Sequence, residues 1–204
     1  MNKYLTLFLI LLIPTNSFAL IEVDITRGNL NPLPIAVSPL SIDNESKQNF
    51  EKILKKKNIG SEISSVIENN LKISGLFNPL NKDAFLQAPD IANLKPRFED
   101  WNLIKAQALI TRIVSFVNEK LRVEVRSWNV PAGKEMMALA FTTVPNNWRR
   151  VGHIITDKVY ERLTGEKGYF DTRIIYVAEE GPKTKRVKKL AIMDQDGANN
   201  KFLT

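Results

Sequence analysis

ALITRIVSFVNEKLRVEVRSWNVPAGKEMMALAFTTV, residues Ala108–Val144, carries the pattern that decides the fold. Its middle section places Leu121, Val123 and Val125 on one side and Arg122, Glu124 and Arg126 on the other. A period of two belongs to a strand with one buried and one wet face. The pattern predicts strands over Ala108–Val117, Leu121–Val130 and Met136–Val144, with Asn118-Glu119-Lys120 turning the first hairpin. Such one-faced alternation marks an antiparallel meander whose apolar side needs a covering layer.

Helical stripes on both sides of the meander can supply that layer. Pro145-Asn146 closes the meander, and Trp148, Val151, Ile155, Val159 and Leu163 then form one apolar stripe that stops at Gly165. Upstream, Gly60-Ser61 opens a helix with Ile63, Val66, Ile67 and Leu71 on one face, Ser61 as its cap and Ser74-Gly75 as its stop. Asp43 to Asn58 reads as a lysine-rich surface helix, with Phe50, Ile53 and Leu54 at helical spacing and Lys55-Lys56-Lys57 at its solvated end. Pro96 starts a short helix in which Phe98, Trp101 and Ile104 recur every three residues, Glu99 and Asp100 occupy the first turn, and Trp101 is core. Leu76–Leu80 reads as an apolar linker, and Phe85 to Lys95 as a loop containing the Ala88-Pro89-Asp90 turn. Ile35-Ala36-Val37 is a short strand which the nearby Pro34 and Pro39 place at a sheet margin.

The N-terminus has a different texture. Lys3 precedes an apolar run from Leu5 to Ile13, Pro14 ends the run, and Ser17-Phe18-Ala19 reads small-x-small. These are the parts of a removable export signal in their proper order, and the run is far shorter than the roughly 20 residues of a membrane-spanning helix. Cleavage after Ala19 leaves 185 residues beginning at Leu20, enough for one domain with a substantial core. Leu20–Thr26 then alternates, with Ile21, Val23 and Ile25 facing one way and Glu22, Asp24 and Thr26 the other.

Beyond the glycine-bounded joint Gly165–Gly168, Arg173–Val177 and Leu190–Met193 read as strands around a basic loop, Lys183–Lys189, and Asp194-Gln195-Asp196-Gly197 as a turn. Two strands bury no core of their own, so Phe170 to Thr204 is expected to be weakly anchored, the first piece of a repeat architecture. The expected fold is α/β of the α+β type: a small mixed sheet of about five strands packed by two to three helices, followed by the first piece of a repeat architecture. The expected division is 1–19 signal, 20–168 α/β domain and 169–204 start of the repeat.

The formal net charge of +7, or +6 after loss of Lys3, raises nucleic acid as a partner by composition alone, but the export signal argues against it. There is no cysteine, hence no disulfide, thiolate metal site or thiol nucleophile. His153 is the sole histidine, so no multi-histidine metal centre can form, and it falls in mid-helix, where a packed structural role is expected. Asp194-Gln195-Asp196-Gly197 departs from a calcium loop because its glycine comes two positions early and Ala198 replaces an oxygen ligand. No G-x-S-x-G elbow or P-loop occurs. No catalytic, cofactor-binding or metal-binding residue is therefore expected.

In this order the chain resembles the TolB family of the bacterial Tol-Pal system. The resemblance rests on Ser74-Gly75-Leu76-Phe77-Asn78-Pro79-Leu80, the Trp148–Gly165 helix with Gly152-His153 and Leu163-Thr164-Gly165, Thr172–Val177, and Met193–Asn199 followed by Phe202-Leu203-Thr204. It implies a periplasmic scaffold without catalysis that helps the outer membrane follow constriction at division. It also implies that Leu20, Ile21, Glu22, Val23, Asp24, Ile25 and Thr26 bind the inner-membrane protein TolA. After processing no transmembrane segment is expected. The implied six-bladed propeller, with its binding of the lipoprotein Pal, is represented only by its first strands at 169–204, so Pal is implied as a partner only where the remaining blades are present. Two departures stand out: Leu109–Val114 lacks a glycine that the resemblance leads one to expect, and Asp43–Asn58 is longer and more basic. A rival reading is a periplasmic hydrolase fragment with a propeller-associated domain.

Overall fold

The computed structural model describes residues 31–204. The export signal and the alternating Leu20–Thr26 stretch lie outside these residues. Nine strands and five α-helices follow among the described residues: β1 Leu33–Val37, β2 Ser41–Ile42, α1 Asn44–Leu54, α2 Ile59–Ile73, β3 Phe77–Pro79, α3 Pro89–Leu94 and α4 Phe98–Leu103. They continue with β4 Ala108–Val117, β5 Lys120–Asn129, β6 Lys134–Thr143, α5 Trp148–Thr164, β7 Arg173–Glu180, β8 Val187–Asp194 and β9 Lys201–Phe202. Six strands make one mixed sheet in the order β3-β1-β4-β5-β6, with β2 continuing the pairing along β4. The architecture is the expected mixed α/β one, with a second, three-stranded sheet β7-β8-β9 at the C-terminal end.

The meander forms where alternation places it. Leu121, Val123 and Val125 are buried, and β4 and β5 meet through Asn118 and Glu119, both at positive φ (50° and 60°), the two-residue turn whose twist suits a hairpin. Lys120 belongs to β5 rather than to the turn.

Three segments differ from the sequence reading. Ile35–Val37 lies inside the sheet, between β3 and β4, not at its margin. Pro34 is tolerated because the β1–β4 ladder begins only at Ile35↔Ala108, so its missing N–H removes no rung, and its carbonyl accepts from Gln107 N at 2.9 Å. Leu76–Leu80 is not merely a linker: Phe77–Pro79 forms β3, parallel to β1, with Leu80 N donating to Ile35 O at 2.9 Å. The stretch called a loop contains α3, because Pro89 stands at the start of a helix, where its fixed φ is an advantage. Ser61 is not the cap of α2 either, since the helix begins at Ile59 with Asn58 in the cap position. Asp43 does cap α1, accepting from Ser46 N at 2.8 Å.

Helices α1, α2 and α5 cover one face of the sheet, burying Phe50, Ile63, Ile67, Leu71, Ile155 and Val159 with Ile35, Ile110 and Val123. Helices α2 and α5 approach closely because Gly152 has no side chain; a Cβ there would lie 2.9 Å from Val66 Cγ1. The opposite face carries a smaller core around Trp101, Leu109, Ala36 and Val130. Trp101 is core as expected, and its indole N–H donates to Gln87 Oε1 at 3.1 Å.

Along β4 the neighbouring strand changes from β1, ending at Val37↔Ile110, to β2, beginning at Ser41↔Ile113. Asn93 of α3 fills the break. Its Oδ1 accepts from Arg112 N, while its Nδ2 donates to Pro39 O (2.9 Å) and Ser41 Oγ (2.8 Å). Arg112 sits at φ 136°, a conformation that favours glycine, in the very stretch where a glycine was expected.

The tail is anchored at Phe170–Asp171 and again where Asp196 is buried against α5, which corrects the expectation that all of Phe170–Thr204 is loose. Phe170 is fully buried in the main core beside Tyr160. Asp157 of α5 accepts from Phe170 N (2.6 Å) and Asp171 N (3.2 Å). Farther out, Ile175 and Val177 are exposed.

Candidate functional site

The segment expected to bind a partner, Leu20–Thr26, precedes the described residues, and its nearest described neighbour in sequence is the entry to β1. There Leu33 N donates to Leu76 O at 2.8 Å, and β1 runs between β3 and β4 in the interior of the sheet.

Within the described residues the richest polar arrangement lies where the N-terminal half of α5 meets the turn after β8. Arg149 Nη2 binds Asp196 Oδ2, and its Nε lies 3.8 Å from Asp194 Oδ2. Arg173 Nε stands 3.7 Å from the other oxygen of Asp194. The Asp194–Gly197 turn is real: Gly197 N donates to Asp194 O at 2.9 Å with Gly197 at φ 84°, and the turn presses Asp196 inward until its side chain is 1% exposed. A cleft of about 530 Å³ opens beside it, lined by Arg149, Arg150, His153, Arg173, Asp194 and Lys201 among others. Arg150 closes one wall through a two-pronged pair with Asp171 (3.0 and 3.1 Å), which raises the guanidinium pKa by hydrogen bonding and charge.

His153 is buried behind this turn. Asn70 Nδ2 lies 2.8 Å from His153 Nδ1 and 3.2 Å from Thr156 Oγ1. Thr156 uses its own hydrogen on Gly152 O (2.8 Å), so it accepts from the amide, and this fixes the amide orientation. Nδ1 of His153 is then an acceptor and the ring proton is assigned to Nε2, which faces Asp196 Oδ2 at 4.0 Å without a hydrogen-bond partner. Burial lowers the His153 pKa below its ordinary 6.5, with Asp196 opposing the shift and Arg149 adding to it.

His153, Asp194 and Asp196 offer oxygen and nitrogen atoms within 4.8 Å of one another, close enough for a cation. The charge there is already met by Arg149, whose guanidinium pairs with Asp196, and by Arg173 beside Asp194. The chemistry of the arrangement is that of a polar clamp joining α5 to the C-terminal sheet. Sequence reasoning placed His153 in a packed helix and Asp194–Gly197 in a turn, but did not bring them together. The available signal was two arginines in the first turn of α5, where the helix dipole disfavours cations unless carboxylates come to them.

Among the described residues no helix is long and apolar enough to cross a membrane. A crystal structure of TolB from Acinetobacter baumannii superposes with a TM-score of 0.68 at 21% identity, covering 85% of this chain and 38% of that one, a likeness of fold. The Tol-Pal system protein TolB of Pelagibacter ubique (strain HTCC1062) is 82% identical over 196 residues, which span 96% of this chain and 44% of the relative's length. The profile of the TolB amino-terminal domain matches residues 21–136. The chain belongs to the TolB amino-terminal domain family.

Proposed function

We propose that this chain serves the Tol-Pal system as a non-enzymatic periplasmic scaffold that binds TolA through Leu20–Thr26 and supports outer-membrane invagination and envelope integrity during division. The observation that carries the reading is the 82% identity to a Tol-Pal system protein over almost the whole chain. On this reading residues 1–19 are an export signal, 20–168 the TolA-binding domain and 169–204 the start of a propeller, with Pal a partner only where further blades follow.

The segment has the chemistry the role needs. Alternating apolar residues, the sequence pattern Leu20–Thr26 carries, can add a strand to a partner's sheet. The absence of catalysis is supported by His153, whose burial and engaged Nδ1 leave it poorly suited to proton transfer with a substrate. A photo-crosslinking residue in place of Glu22 tests the assignment in living cells. A TolA adduct at that position, with none from a crosslinker at exposed Lys183, is the expected result; equal yields at both sites overturn it.

A further inference from the structure

β6 ends the main sheet, so one side of its backbone has no neighbouring strand among the described residues. It is ten residues long; Lys134 and Glu135 charge its first two positions, but Met136–Thr143 carries no charged side chain, although natural edge strands are commonly guarded by charge, proline or cover. Beside it α5 overhangs a groove of about 390 Å³, lined by Met137 and Leu139 from the strand and by Lys158, Glu161, Arg162 and Leu163 from the helix. Met137 and Leu139 stand two residues apart, the spacing that receives alternate side chains of a neighbouring strand. Methionine adds an adaptable surface.

We propose that the β6 edge and the α5 groove form a second docking surface, which takes an extended acidic segment of another protein as an added strand. A free ladder of N–H and C=O groups is satisfied by an extended backbone, and a helix between strand edge and solvent gives that backbone a wall to pack against. Charge sets the preference for acid. Lys158 and Glu161 satisfy each other at 2.8 Å, but Arg162 has no carboxylate partner among the described residues. Its Nε donates to Met136 O at 3.1 Å, at the irregularity where β5 and β6 change register, which fixes the guanidinium at one end of the groove. An acidic residue at the matching end of the incoming strand completes the pair.

The test uses the full chain and the fluorescein-labelled peptide Glu-Val-Thr-Val-Thr-Val-Thr, read by fluorescence anisotropy and by amide hydrogen exchange. Saturable binding with slowed exchange in β6 is expected, and a peptide beginning with Lys should bind at least about tenfold more weakly. Arg162→Glu should reproduce that loss, whereas Arg162→Lys, which keeps the charge but not the guanidinium's simultaneous bond to Met136 O, should fall between the parent and Arg162→Glu. The peptide comparison needs no protein variant, so misfolding of Arg162→Glu would not blunt the test. No saturable binding, equal affinity for the Lys peptide, protection outside β6, or a concentration-dependent dimer that buries β6 in the absence of peptide would each overturn the proposal.

Discussion

Asn70 Nδ2 donates to His153 Nδ1 at 2.8 Å, joining α2 to α5 across 83 residues of sequence inside the main core. That bond needs a neutral imidazole. Because burial lowers the folded pKa below 6.5, the unfolded chain takes up a proton first as pH falls, so the contribution is full above about pH 6.5 and is lost as pH falls through the folded value. An NMR titration should show His153 titrating below 6.5. Asn70→Ala should cost about 1–3 kcal/mol by leaving Nδ1 buried without a partner; titration at or above 6.5 would contradict the neutral assignment.

Arg112 offers a direct reading of backbone strain. Replacement by Ala and by Gly each removes the ion pair with Glu124 (3.3 Å), but only Gly relieves φ 136°. Arg112→Gly should therefore be more stable than Arg112→Ala by about 1–3 kcal/mol in urea unfolding. Equal stabilities would mean that the strain is absent.

Gly152→Ala should be destabilising by about 1–3 kcal/mol, since the added Cβ meets Val66 Cγ1 at 2.9 Å and Val66 Cβ at 3.0 Å. Val66→Ala in the same chain should recover part of that loss by making room. A thermal melt of the two single variants and the double variant checks the coupling.

Trypsin should cut first in the exposed hairpin around Lys183 and Lys185, while the Gly165–Gly168 joint resists, because Asp157 holds Phe170 N and Asp171 N and Phe170 is buried. Asp157→Ala should open the joint and shift early cleavage to Lys167. First cleavage at Lys167 in the parent would show the anchoring of the tail to be weaker than described.

How far the fold could be read in advance follows from how local each signal is. The β4–β6 meander and the stripe of α5 repeat over ten residues or more, so alternation and helical period identify them. β3 is three residues including Pro79, and α3 is six residues beginning at Pro89, too short for either period to show. The place of Asn93 is illegible for another reason: it plugs a gap between strands up to 54 residues away in the chain. The clamp is non-local in the same way, with Arg149 and Asp196 separated by 47 positions. Arg112 stands between the two cases, because a missing glycine pointed to the stretch but only the backbone identified the residue that bears the strain.

Isothermal calorimetry of purified TolA against the mature chain, with and without Leu20–Thr26, decides whether these seven residues form the TolA-binding segment. The expected result is measurable binding by the intact chain, loss of that binding on deletion with little change in far-ultraviolet circular dichroism, and a larger loss from Val23→Pro, which removes a backbone donor, than from Asp24→Asn. Undiminished TolA affinity in the deletion variant would contradict it.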